Sequence, residues 1–237
     1  MKRDSTPLPT PTASAEVDAF LKKLAETPAG PRSEGRGRLV FAMDATASRE
    51  PTWDTACHIQ AEMFEETRNL GGLDVQLCYY RGFRELVASP WVSDPAALRE
   101  RMTGVTCAAG HTQIIRVLEH ARSEALAHRV NALVFVGDCM EEDIGALQDA
   151  AGRLGLVGVP AFMFHEGFDP VAGAAFRDVA RLTRGAYTRF DAGSAQQLRD
   201  LLAAVAVYAS GGRDALARLG DRRGGIVRLL SHQVAKT

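Results

Sequence analysis

The sequence lacks the motifs that define several common enzyme classes. It contains no Gly-x-x-x-x-Gly-Lys-Ser/Thr phosphate-binding loop, no Gly-x-Ser-x-Gly nucleophile elbow and no His-Glu-x-x-His zinc motif. No glycine fingerprint follows the first predicted strand, which argues against a dinucleotide-binding enzyme. These absences lead us to expect a protein that is not an enzyme.

Cysteine is scarce, and its spacing excludes two further kinds of site. The chain has four cysteines, Cys57, Cys78, Cys107 and Cys139, and no two of them form a Cys-x-x-Cys pair. A zinc ribbon and a thioredoxin-like redox motif are therefore not expected, and reduced thiols in a cytoplasmic protein are the default.

Long apolar runs are also missing. The longest apolar stretches fall far short of the about 18 residues that cross a bilayer. The first residues, MKRDSTPLPTPTASAE, lack the apolar segment of a signal peptide. We expect a cytoplasmic protein that neither spans nor binds a membrane.

Charge is unevenly distributed along the chain. The formal net charge of −1 combines a balance of +1 on residues 1–37, −6 on residues 38–210 and +4 on residues 211–237. An acidic central region argues against nucleic-acid binding, which needs a basic face. The basic tail is either a helical extension packed on the acidic domain or a docking segment for a partner, and the sequence leaves both readings open.

Three segments can be distinguished along the chain. In the first, Val17, Phe20, Leu21 and Leu24 recur at helical spacing and predict a short amphipathic helix. A linker rich in Pro and Gly follows it. We therefore predict a flexible leader with a short helix over residues 1–37, one domain over residues 38–210 and a basic tail over residues 211–237.

Short apolar runs alternate with helical patterns throughout the predicted domain. This alternation is typical of a doubly wound α/β fold whose mostly parallel sheet is covered by helices on both faces. Two adjacent strands separated by a short turn should form a hairpin, which makes one edge strand of the six-stranded sheet antiparallel. The strands are predicted at 39–43, 74–80, 83–87, 131–137, 159–164 and 186–190, and the helices at 53–67, 95–102, 112–127, 144–154, 170–183 and 195–209.

Five oxygen-bearing side chains follow or precede these elements in three separate loops. Asp44, Thr46 and Ser48 follow the first strand, Thr112 precedes a helix, and Asp138 ends the strand at 131–137. In an open parallel sheet, ligands bind beyond the carboxyl ends of the strands, where the strand order reverses. Carboxylates and hydroxyls suit Mg²⁺ or Mn²⁺ better than Zn²⁺. If the loops converge, these side chains would hold one divalent cation and leave one coordination position open.

Asp-x-Thr-x-Ser after a buried strand, a loop Thr before a helix and an Asp closing a later strand resemble the metal-ion-dependent adhesion site of von Willebrand factor type A (vWA) domains. The resemblance covers about residues 38–209 and implies a vWA, Rossmann-like fold. It implies that Thr46 and Ser48 contact the metal directly, that Thr112 can do so, and that Asp44 and Asp138 act mainly through water. The open position would be filled by an acidic side chain of a protein partner.

The sequence departs from the common vWA pattern near this site. Thr46 replaces the more frequent Ser but keeps the hydroxyl. His111 stands where Gly is common, and a bulky titratable residue there could weaken metal binding or make it depend on pH. Glu141, Glu142 and Asp143 add negative charge that should disfavour an acidic ligand.

The sequence therefore predicts a metal-dependent protein–protein interaction module, in a bacterial stress-response or assembly system by family analogy. Two alternatives remain. One is a vWA scaffold that binds its partner without metal. The other is a metal-dependent phosphohydrolase with Asp44 as nucleophile, although such enzymes carry Asp-x-Asp where this chain has Thr46 in the second place.

Overall fold

The computed structural model describes residues 13–28, 36–49, 72–190 and 195–222. The helix predicted at 53–67, together with Cys57 and residues 223–237 of the tail, lies outside these ranges. The described strands are β1 (Gly37–Asp44), β2 (Leu73–Arg81), β3 (Glu85–Ala88), β4 (Ala132–Gly137), β5 (Ala161–Glu166) and β6 (Ala186–Phe190). The described helices are α1 (Ala13–Glu26), α2 (Pro95–Thr103), α3 (Ile114–Ala127), α4 (Ile144–Leu156), α5 (Pro170–Leu182) and α6 (Ala195–Arg222), with one 3-10 turn at Ala47–Arg49.

The six strands form one sheet in the order β3-β2-β1-β4-β5-β6. All neighbours pair in parallel except β2 and β3, which form the predicted antiparallel edge hairpin. This architecture confirms the predicted α/β class with its mostly parallel six-stranded sheet. The chain leaves β1 toward β2 on one side and returns to β4 on the other, so the strand order reverses between β1 and β4. The carboxyl ends of these two strands are where an open α/β sheet binds its ligands.

The side chains of β1 show why the sheet is covered on both faces. Successive residues of a strand point to opposite faces. Leu39, Phe41 and Met43 enter the core beneath α1, α2 and α6, while Val40 and Ala42 enter the core beneath α3, α4 and α5. A strand whose residues 39–43 are all apolar therefore lies between two helical layers.

Helix α1 is part of the folded domain. The Phe20 ring lies 5.3 Å from that of Phe164 and 6.1 Å from that of Phe162, measured between ring centroids. The whole apolar face of the helix is buried in the core: Val17, Phe20, Leu21 and Leu24. The sequence predicted the helix and its apolar face, but its spacing carries no information about the surface on which that face packs.

Two hydrogen bonds hold the end of α1 against distant parts of the chain. The Thr27 hydroxyl donates to the Arg184 carbonyl at 3.1 Å, and the Tyr208 hydroxyl donates to the Pro28 carbonyl at 2.7 Å. The predicted domain boundary at residue 37 therefore divides α1 from the elements on which it packs, β5, β6 and α6.

Helix α6 continues beyond the predicted domain end at residue 210. The helix breaks at Gly212, where φ is 65° and ψ is −161°, and resumes with Ala215 and Leu216 buried. The described part of the basic tail is thus a helical extension of the domain. Neither α6 nor any other helix in the described ranges is long and apolar enough to cross a membrane.

The described cysteines, Cys78, Cys107 and Cys139, form no disulfide with one another. Cys78 lies in the core, where burial raises its pKa to about 12. Its side chain is therefore a protonated packing group.

Truncation of Phe20 tests whether α1 belongs to the domain. We expect Phe20→Ala to lower the free energy of unfolding by about 3–5 kcal/mol, because a buried aromatic leaves a cavity among other rings. Denaturant titration of the full chain measures this change. Lys22→Ala on the exposed side of the same helix is the control and should have little effect. Equal stability of the two variants would mean that α1 is a dispensable leader.

Candidate metal site

Asp44 ends β1 with its side chain wholly buried. Its Oδ1 accepts a hydrogen bond from the Thr46 amide at 2.7 Å, and its Oδ2 accepts one from the Tyr80 hydroxyl at 2.9 Å. Tyr80 is fully buried and pairs with Asp44 in the β1–β2 register. Both oxygens of the carboxylate are therefore oriented by neutral donors from within the fold.

No positive charge compensates this buried carboxylate among the described ion pairs, none of which includes Asp44. Burial raises the pKa of Asp44, the hydrogen bonds from Thr46 lower it, and the negative charge of Asp138 raises it again, leaving it above its ordinary value. A carboxylate in this setting is stabilised by a cation, which would relieve both the desolvation and the repulsion.

Thr46 and Ser48 place their hydroxyls side by side just after β1. The two oxygens lie 3.1 Å apart. The chain turns here into the 3-10 segment Ala47–Arg49. Thr46 is nearly buried and Ser48 is exposed, so this pair extends from the buried carboxylate of Asp44 to the surface.

Asp138 directly follows β4, the strand beside β1. The last residue of that strand is Gly137, where a Cβ would lie 2.8 Å from the Phe135 ring and 3.6 Å from the Asp44 Cβ. The absence of a side chain at Gly137 leaves room for the Phe135 ring of the same strand. Asp138 Oδ1 is buried and has no hydrogen-bond partner among the described residues. An unpaired buried carboxylate oxygen is costly unless an ion or a water satisfies it.

Thr112 lies in the loop before α3 and is largely buried. Its hydroxyl accepts a hydrogen bond from the Glu141 amide at 3.0 Å, which joins it to the loop that carries Asp138. The same pre-helix loop reaches the end of β1, because the Ala108 amide donates to the Ala45 carbonyl at 3.1 Å. The three loops that carry the predicted ligands are thus connected by hydrogen bonds.

Glu142 caps helix α3 from another loop. Its Oε2 accepts from the Ile114 amide at 2.6 Å and its Oε1 from the Ile115 amide at 2.9 Å. The residue at the N-cap of α3, Gln113, makes no side-chain cap of its own. A carboxylate at this position satisfies amides that have no partner within the helix and is favoured by the helix dipole. In the sequence Glu142 stands out only as a negative charge, since no local motif links it to a helix 28 residues earlier.

The other two acidic residues of this loop are engaged as well. Glu141 Oε2 accepts from the Thr112 amide at 3.2 Å and lies 3.3 Å from His111 Nδ1. Asp143 caps α4 by accepting from the Ala146 amide at 2.8 Å. Glu141, Glu142 and Asp143 therefore bind backbone amides at helix starts, where their charge is partly offset.

The donor set determines which cation the site could take. Within the described ranges, no three His, Cys, Asp or Glu side chains form a metal-binding group. The predicted ligands in these three connected loops are instead two carboxylates and three hydroxyls, which are hard oxygen donors suited to Mg²⁺ or Mn²⁺. The unpaired Asp138 oxygen and the uncompensated charge of Asp44 fit such a cation.

Solved structures with the same fold include vWA domains. The chain resembles the VWA domain of SpRpn10, with a TM-score of 0.57 and 17% identity over 70% of this chain and 94% of that one. It resembles a von Willebrand factor type A protein from Catenulispora acidiphila, with a TM-score of 0.57 and 18% identity over 71% of this chain and 42% of that one. An aerotolerance-related membrane protein from Bacteroides fragilis gives a TM-score of 0.54 and 16% identity over 70% and 98% of the two chains.

At these identities the likeness shows the fold, and the chain has the vWA fold. No protein-family description and no curated protein sequence matches the chain.

The Asp44→Asn substitution tests whether the charge of Asp44 destabilises the protein in the absence of metal. In the presence of chelator we expect Asp44→Asn to unfold a few degrees above wild type, because about 1 kcal/mol shifts the midpoint of such a domain by about 2–4 °C. The amide keeps an acceptor for the Thr46 amide and removes a buried, repelled charge. Calorimetry measures the midpoint, with Asp149→Asn on the exposed face of α4 as control. A lower midpoint for Asp44→Asn would show that the carboxylate stabilises the fold by itself.

Removing the Tyr80 hydroxyl tests its role toward Asp44. We expect Tyr80→Phe to reduce the free energy of unfolding by about 1–3 kcal/mol, because a buried carboxylate oxygen loses its donor. Tyr79→Phe, on the same strand but facing the other way, is the matched control. In an Asp44→Asn background the loss should shrink, and a double-mutant cycle measures that difference. Equal losses in both backgrounds would show that the two side chains are not coupled.

Proposed function

We propose that this chain is a protein-interaction module that binds its partner through a divalent cation held at the carboxyl ends of β1 and β4. Asp44, Thr46, Ser48, Thr112 and Asp138 would hold Mg²⁺ or Mn²⁺. The cation would supply a positive charge and an open position for an acidic side chain of the partner. By family analogy the partner belongs to a bacterial stress-response or assembly system, and the setting is cytoplasmic.

The observation that carries this proposal is the pair of carboxylates at the strand switch. Asp138 Oδ1 has no hydrogen-bond partner among the described residues, and its charge raises the pKa of the buried Asp44 carboxyl after burial itself. Two neighbouring carboxylates that lack a positive partner among the described residues are unfavourable in a fold without an ion. The same arrangement attracts a divalent cation and provides neutral hydroxyl ligands beside it.

The acidic loop after β4 is compatible with an acidic partner. The Glu142 carboxylate accepts hydrogen bonds from two amides of α3, and the Asp143 carboxylate accepts one from an amide of α4. Their charges are directed at helix N-termini and are therefore partly compensated. Glu141 is the member of the loop that combines an exposed side chain with a position beside Thr112. We expect it to modulate partner affinity.

The burial of Asp44 argues against the phosphohydrolase alternative. An aspartyl nucleophile needs a free oxygen that can reach a phosphorus atom. Asp44 is 0% exposed, and each of its oxygens already accepts a hydrogen bond from Thr46 or Tyr80. We therefore propose a binding function without catalysis.

Calorimetric titration of the full chain with MgCl₂ and MnCl₂ tests the cation. We expect saturable binding by wild type and no binding by Asp44→Ala, because that variant loses one of the two carboxylates that balance the ion. Asp149→Ala should bind as wild type does. Absence of binding to wild type would favour the scaffold that works without metal. Phosphatase turnover that disappears in Asp44→Asn would favour the enzyme.

Pull-down of partners from a lysate, with and without chelator, tests the bridging role of the cation. Recovery of a specific partner should require the divalent ion and should be lost with Asp44→Ala. A partner recovered equally well in chelator would contradict the bridge, even if the chain binds metal.

A further inference from the structure

Phe83 is an exposed aromatic residue at the same edge of the sheet as Asp44. It lies in the turn of residues 82–84 that joins β2 to β3, and 77% of its surface is accessible. Because β2 runs parallel to β1, this turn and the end of β1 project from the sheet in the same direction. A single exposed apolar side chain is ordinary by itself, and what distinguishes Phe83 is its position at the carboxyl edge of the sheet.

The turn that carries Phe83 is fixed by hydrogen bonds from outside the hairpin. Gln113 Nε2 donates to the Arg81 carbonyl at 3.3 Å. Arg116 Nη1 donates to the Arg84 carbonyl at 2.7 Å and also contacts Gln113 Oε1. Helix α3 and the residue before it thus hold both ends of the turn.

Backbone geometry points to the same conclusion. Arg84 adopts a φ of 67°, a left-handed conformation that a residue with a long side chain rarely takes. Gly110 lies so close to the turn that a Cβ on it would overlap the Gly82 carbonyl. Strained backbone persists where the surroundings determine it, and such positions cluster at functional sites.

Phe83 is linked to the candidate metal site through His111. The two rings lie 5.5 Å apart with an interplanar angle of 68°, an edge-to-face contact. His111 Nδ1 is 3.3 Å from Glu141 Oε2, and the Glu141 amide donates to the Thr112 hydroxyl. The exposed Phe83 ring therefore contacts the loop that carries His111 and the predicted metal ligand Thr112.

Charge around the turn restricts what can bind there. Arg84 and Arg116 are both exposed beside Phe83, so a basic side chain is repelled from the ring. An acidic segment that also carries an apolar side chain suits this combination of arginines, aromatic rings and a neighbouring cation.

We propose that Phe83 and His111 form a second contact for the partner. This contact receives an apolar side chain of the partner that is close in sequence to the partner's acidic residue at the cation. This inference rests on the proposed function and adds a specificity determinant to it. A rigid aromatic anchor next to an ionic contact is typical of the residues that dominate binding energy at interfaces. The partner segment is thus acidic and apolar, with a fixed spacing between the two features.

Selection of random peptides displayed on phage tests this inference with the full chain immobilised. Peptides recovered in MgCl₂ but not in chelator should carry an acidic residue and, at fixed spacing, an aromatic or aliphatic one. Selection on Phe83→Ala should keep the acidic residue and lose the apolar preference. A synthetic peptide from the wild-type selection should bind Phe83→Ala about thirtyfold more weakly, as expected for an interface hot spot.

Two controls separate the possible results. Leu156→Ala removes an exposed apolar side chain at the far end of α4 and should leave both selection and affinity unchanged. The unfolding midpoint of Phe83→Ala should match wild type, since the ring is exposed. Magnesium-dependent acidic peptides that bind Phe83→Ala as tightly as wild type would overturn this inference and leave the proposed function standing. Absence of any magnesium-dependent peptide would overturn both.

Discussion

The buried carboxylate of Asp44 is the constraint around which the carboxyl edge of the sheet is arranged. The hydrogen bonds from Thr46 and Tyr80 orient its two oxygens, and Asp138 brings a second negative charge to the adjacent strand end. A core optimised only for stability would replace these groups with apolar ones. The fold instead retains an electrostatic cost that a bound cation would remove, which is the trade-off expected at a binding site.

The loops around this carboxylate are held to one another by the protein itself. Glu142 caps a helix from a neighbouring loop, and Thr112 accepts a hydrogen bond from the loop of Asp138. These contacts reduce the ordering that a ligand would have to impose, and a site ordered in advance binds more tightly for the same contacts.

Elements whose sequence pattern is local were predictable. The six strands, their mostly parallel arrangement and the edge hairpin follow from apolar runs separated by helical patterns. Features that depend on distant residues were not: the start of α3 at Ile114 is set by Glu142, and the left-handed Arg84 is held by Arg116. The five predicted ligand positions follow from their loops at strand ends and helix starts and from the resemblance, whereas the roles of Tyr80 and Phe83 required coordinates, since neither belongs to a motif.

The docking of α1 constrains how the molecule can fold. Its apolar face packs on Phe162 and Phe164, and the residues after it bond to Arg184 and Tyr208. During synthesis the helix leaves the ribosome well before any of these partners exists. Its hydrophobic face lacks these partners until β5, β6 and α6 have been made, so its docking adds contacts between residues far apart in sequence and a late closing step to folding.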